Sequence, residues 1–227
     1  MRFLTNQYKK RCKELFGKYG FINYRNYFYR VVNDVFQSFE LHKSAYGDKC
    51  TIHFCVRPLC EGNSIAKNCC GPDHLKIFES NFTWFEYDRY NEENIRKCLE
   101  EMIHYMQKYL LPYFERANDS ETAYHCYYIF QEEHFKEGVV MSDPHLYYFA
   151  LKAKMYDRAL EHLQAQKARI QSIIEEERVF GNYDRIESLQ ENIDEFDKHI
   201  KMIEGFNEKE IAEYIETQEK IALHNLL

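Results

Sequence analysis

Residues Tyr27 to Pro58 read YFYRVVNDVFQSFELHKSAYGDKCTIHFCVRP, and one choice of strand register there accounts for both the turn residues and the apolar pattern. Asn33-Asp34 and Gly47-Asp48 are dipeptides that tight hairpin turns favour. Setting them at two consecutive tips predicts antiparallel strands over about 27–32, 35–45 and 50–57, the last stopped by Pro58. In this register Leu41 faces Phe54, Phe39 faces Val56 and Lys43 faces Ile52 on one side of the sheet. His42 opposite His53, Glu40 opposite Cys55 and Ser38 opposite Arg57 fall on the other. A slip of one residue would scramble that segregation, so the pattern itself specifies which side chains share a face.

Outward from the hairpins the period changes. Leu4, Tyr8, Cys12, Leu15, Phe16 and Tyr19 recur at helical spacing, with Thr5 as a candidate cap at the start and Gly20 where a left-handed end is expected. Residues 59–74 carry Gly62, Asn63, Ser64, Asn68, Gly71 and Pro72 and read as loop. Ile77 to Tyr87 offers a fourth strand of ambiguous period. Ile95, Leu99, Met102, Met106, Tyr109 and Leu110 form one helical stripe that Pro112 is expected to end. Ser120 caps a helix to about Phe135, and Asp143-Pro144 opens another, turning back near Lys154-Met155.

Further on, Ile186, Leu189, Ile193, Phe196, Ile200 and Ile203 alternate spacings of three and four, as in a coiled-coil seam. Leu160, Leu163, Ile170, Ile173, Ile174 and Phe180 offer a facing stripe, and Gly181-Asn182 can reverse the chain between them. The prediction is an intramolecular hairpin over about 156–204 and a closing helix over about 208–225. The fold class is α+β, an antiparallel meander sheet with an N-terminal helix followed by an all-helical C-terminal half, divided as 1–118 and 119–227.

The 227 residues include 45% hydrophobic side chains, enough for a real core, and 19 Tyr and 17 Phe. The net charge of -7 is unevenly spread: residues 1–90 hold 14 Lys and Arg against 9 Asp and Glu, residues 91–227 hold 16 against 28. An acidic helical half facing a mildly basic sheet half explains this simply. The alternative is a basic-aromatic surface for nucleic acid made of Lys9, Lys10, Arg11, Lys13, Arg25 and Arg30 with Tyr24, Tyr27 and Tyr29. No apolar run follows the basic residues near Met1, and none reaches the ~18 residues a membrane span needs. The eight cysteines are therefore expected to be thiols in a reducing cytoplasm.

The runs Gly20-Phe21, Asn26-Tyr27-Phe28-Tyr29-Arg30, Phe36-Gln37-Ser38-Phe39, Lys43-Ser44, Gly47 and Thr51-Ile52-His53-Phe54 go together with Trp84 and Tyr109-Leu110-Leu111-Pro112-Tyr113-Phe114. In these the chain resembles, over residues 5–118, a bacterial family catalogued only as a domain of unknown function, the group numbered four-three-zero-four. The stretch Asn63 to Gly71 looks inserted, and the helices after Asp143 lie outside the family. The resemblance implies a cytoplasmic α+β domain and brings neither an activity nor catalytic residues.

Candidate sites are few. Cys60, Cys69, Cys70 and His74 share one loop, although adjacent cysteines are poorly spaced for zinc; Cys50 and Cys55 point to opposite faces of their strand. His42 and His53 across the ladder, with Glu40 beside them, make a second candidate metal set. No glycine-rich phosphate loop, nucleophile elbow or helical metal-protease pair is present, so no catalytic residue is assigned and no cofactor is expected. The expected function is a non-catalytic protein-binding or accessory factor of the immunity type. Its partner, another protein or a second copy of the chain, is received on an exposed sheet face bearing Tyr27, Tyr29, Phe36 and Arg57 and on the helical hairpin. The alternatives are a metal-dependent hydrolase at the His42/His53 face and nucleic-acid binding by the N-terminal surface.

Overall fold

The fold rests on an apolar helix stripe laid across one face of a twisted meander. In a computed structural model that describes residues 2–68, 73–74, 84–134 and 144–227, helix α1 spans Arg2–Phe16 and buries Leu4, Tyr8, Cys12 and Phe16, one residue per turn. A short 3₁₀ turn, Gly17–Tyr19, follows, and Gly20 closes it at φ 85° by donating to the Gly17 carbonyl. Thr5 lies inside α1 instead of capping it, and its hydroxyl accepts from Lys43 Nζ at 2.6 Å.

Strands β1 (Ile22–Tyr24), β2 (Tyr27–Val32), β3 (Val35–Lys43) and β4 (Lys49–Pro58) form an antiparallel meander, and β5 (Asp73–His74) and β6 (Phe85–Glu86) both pair with β4. The β2–β3 hairpin turns at Asn33-Asp34 as predicted, with Asn33 in the left-handed region at φ 51°. The β3–β4 register differs from the prediction by two residues: Phe39 pairs with Phe54, Leu41 with Ile52, Glu40 with His53 and His42 with Thr51. The turn is wider than expected because Asp48 is not free to sit at its tip. Arg89 Nε donates to the Asp48 carboxylate at 2.6 Å and the Tyr87 amide donates to its carbonyl. A shift of two preserves facing, so Phe39, Leu41, Ile52, Phe54 and Val56 all point into the main core.

Helix α2 (Glu92–Tyr105) is capped by Asn91, whose Oδ1 accepts from the Glu93 and Asn94 amides. It does not end at Pro112. A π turn over Met106–Leu110, closed by the Leu111 amide on the Met106 carbonyl, carries it into α3 (Leu111–Arg116), and this wider turn accommodates Pro112, which has no amide hydrogen to bond the turn before it. Helices α4 (Ser120–His134), α5 (Pro144–Lys152), α6 (Tyr156–Phe180), α7 (Tyr183–Glu204) and α8 (Glu208–Leu226) complete the described chain. The chain therefore is α+β with a helical C-terminal half, and α6–α7 is the predicted intramolecular hairpin, reversed at Gly181 with φ 73°.

The two halves share one apolar cluster: Phe16, Phe39, Phe54 and Phe114 stand in it beside Leu146, Phe149, Leu163, Ile203 and Ile211. A polar knot inside it fixes the sheet to α3. Arg30 donates to Gln37 Oε1, the Tyr19 carbonyl and Glu115, and Gln37 donates to the carbonyls of Phe114 and Ala117. The opposite face of the sheet is not open. Tyr29, Phe36 and Cys55 are buried there with Leu59 and Ile65 against Ala222 of α8.

Candidate partner-binding site

The α6–α7 arm has two chemically distinct ends. At its root Ala159, Leu163 and Ile203 join the main core. Beyond them Ile174 and Ile193 are the buried members of a private seam flanked by the half-buried Ile170, Ile173, Ile186, Leu189 and Phe196. At 1.5 Å per residue the stretch from Leu163 to Phe180 carries the arm roughly 25 Å past the core. Its turn is rigidly built: Glu177, buried, accepts from Asn182 Nδ2 at 2.5 Å and pairs with Arg185 at 2.5 Å, while Gly181 and Asn182 amides cap the α6 carbonyls. This polar clasp presents Val179, Phe180 and Tyr183 outward, 83, 76 and 74% exposed.

At the root lies a cleft of about 380 Å³ between the 3₁₀ segment Leu59–Ser64, α5 and the arm. Glu61 is its centre. Its side chain is buried, accepts from Arg57 Nε at 2.5 Å, and pairs with His145 Nδ1. Burial pushes the Glu61 carboxyl up, but His145 and Arg57 outweigh it and hold the group below the usual carboxylate range. Arg57 also donates to the Ser64 carbonyl, and Arg169 and Gln166 from α6 face the same space. Behind it sits a ring of tyrosines: Tyr147 Oη is 3.2 Å from His199 Nδ1, and burial pushes the Tyr148 phenol up to about 12. Burial also lowers His199, which keeps that imidazole neutral near pH 7. Cys60 donates to the Tyr148 carbonyl at 3.4 Å.

The residues expected to bind a partner part company here. Arg57 enters the cleft, but Phe36 and Tyr29 are buried beneath α8 and Tyr27 is half-buried, so the exposed aromatic face read from the sequence is covered by the chain's own last helix. His42 and His53 do meet, as stacked rings with centroids 3.9 Å apart, and Trp84 lies against His42. Stacked faces direct their nitrogens sideways, and the Glu40 carboxylate is engaged by a hydrogen bond from Tyr27. Among the described residues no group of three or more His, Cys, Asp or Glu side chains is placed to hold a metal. Cys60 is buried away from solvent, the backbone of His74 pairs with His53, and Cys69 and Cys70 lie outside the described residues.

The basic-aromatic surface is also dispersed, since Arg30 and Tyr29 are buried and Arg11 faces Glu100. No helix among the described residues is long and apolar enough to cross a membrane. Sequence reasoning missed Glu61, His145, Tyr148 and Arg169, which come from distant segments and carry no local motif. It could have found the tip, because Val179-Phe180 and Tyr183 flank a Gly-Asn reversal where polar side chains are expected. Comparison with protein-family models, with curated proteins and with solved structures returned no significant match.

Proposed function

We propose that the protein is a non-catalytic accessory factor, of the immunity type, that binds another protein through its helical arm. The observation that supports this reading is the apolar tip: three large side chains held in water at the end of an otherwise charged arm. Leaving a Phe or Val exposed forgoes about 1.5–3 kcal/mol of burial each, and clustered exposure of this kind marks interaction sites. Glu175, Glu176, Asp184 and Glu187 outnumber Arg178 and Arg185 around the tip, so the complementary surface is an apolar pocket with a mainly basic rim. Arg57, Arg169 and Tyr148 at the root are of the residue types that dominate interface energetics, and a partner seated along the arm reaches both ends.

The setting proposed is a reducing cytoplasm, where the described cysteines are thiols at rest. The resemblance over residues 5–118 carries no activity, so the reading rests on the arm. A photocrosslinking amino acid at position 180, introduced in the cell of origin, is expected to yield one discrete protein adduct, with none from the same probe at the exposed root position 161. Equal smears from both positions would remove the support.

A further inference from the structure

Cys50 opens β4 and Cys98 lies midway along α2, and the packing of that helix on the core face of the sheet brings their sulfurs to 4.0 Å. Both are buried, 0 and 4% exposed, and neither belongs to the arm or to its root cleft. We propose that Cys50 and Cys98 form a peroxide-sensitive redox site that closes to a disulfide tying the sheet to α2. Bonded sulfurs sit about 2.05 Å apart, so closure asks for about 2 Å of approach, which thiol rotation and a small helix shift supply. The other buried thiols are engaged elsewhere: Cys12 meets Tyr8, Cys55 meets Ser38 on the opposite face of the sheet, and Cys60 meets the Tyr148 carbonyl.

The pair is also asymmetric in the way the chemistry needs. The hydrogen bond the two sulfurs share lowers Cys98 below the usual thiol range and, together with burial, raises Cys50. The Cys98 thiolate attacks one oxygen of hydrogen peroxide, the O–O bond breaks, the leaving hydroxide takes up the proton that Cys98 gave up and becomes water, and Cys98 becomes a sulfenic acid. Cys50 sulfur then attacks Cys98 sulfur, the S–O bond breaks, and the departing oxygen takes the Cys50 proton and leaves as water. Two thiols are oxidised by two electrons in all, peroxide is reduced to two waters, and a dithiol reverses the step. The bond constrains the unfolded chain between β4 and α2, so the oxidised protein unfolds at a higher temperature.

The test treats the full chain, folded and in buffer, with hydrogen peroxide, then alkylates, digests and sequences by mass spectrometry. A peptide linking Cys50 to Cys98 that vanishes on reduction, accompanied by a raised midpoint of thermal unfolding, is expected. Cys50→Ala protein that remains folded by circular dichroism should stop at a dimedone-reactive sulfenic acid on Cys98. A wild-type chain in which both thiols survive peroxide, in which the link forms only in denaturant, or in which either cysteine pairs with a different one would overturn the proposal.

Discussion

Gly62 holds φ 60° and ψ -113° inside the turn that carries Glu61, and a Cβ there would lie 2.0 Å from Gln218 Oε1 of α8. The amide can swing aside, but the backbone cannot leave a conformation that L side chains rarely adopt. Gly62→Ala is expected to cost about 1–3 kcal/mol, read as a lower urea midpoint at unchanged slope. An unchanged midpoint would mean that Gly62 does not hold this left-handed conformation in the folded chain. Glu61 gives a pH signature. Its carboxyl is held below its unfolded value, so its contribution to stability is present above the ordinary Glu range and is lost as pH falls through the folded value. Glu61→Ala, which leaves Arg57 and His145 without their shared anion, is expected to cost roughly 3 kcal/mol near neutral pH and to flatten the acid limb of the stability curve. Equal losses at pH 4 and pH 7 would contradict this. Nothing local marks either residue: Gly62 reads from sequence only as a loop residue, and Glu61 acquires its meaning from His145 on another element.

At the scale of elements, facing was legible and the β3–β4 register was not. The two-residue period of Phe39, Leu41, Ile52 and Phe54 fixes which side chains share the core, whereas register depended on Asp48, and Arg89 claims that residue from far along the chain. The second face was misread for a related reason. The apolar positions of a closing helix over about 208–225 can be read from its period, but not the surface that the helix will cover, which is the face of Phe36 and Ser38. Ser38→Asp is therefore expected to destabilise nearly as severely as Phe39→Asp, since both bury a charge; a mild Ser38→Asp in thermal unfolding would show that α8 leaves this face. The arm makes the opposite case, being legible because its seam is local. Ile193→Asp should abolish hydrogen-exchange protection over α6 beyond Ile170 and over α7 before Phe196 while β3 and β4 stay protected. Equal loss in the sheet would mean that the arm is part of the core.

At the scale of the whole molecule, α8 serves both faces of the structure: Ile211 joins Leu146, Phe149 and Leu163 of α5 and α6 in the main core while Ala222 closes the reverse of the sheet. This is why a boundary near residue 118, drawn from the change of period, does not divide the core. What remains outside that core is the distal arm, so the exposed group Val179, Phe180 and Tyr183 sits on the most independent element of the described chain. The claim that the arm tip engages a different protein is tested most directly by quantitative co-purification from the cell of origin, comparing the wild-type chain with one carrying Val179→Glu, Phe180→Glu and Tyr183→Glu. Those positions are exposed, so the substituted protein should keep its circular dichroism and unfolding midpoint. The account predicts that one protein recovered in near-stoichiometric amount with the wild-type chain is lost with the variant; the same protein recovered equally with both, or no such protein with either, would contradict it.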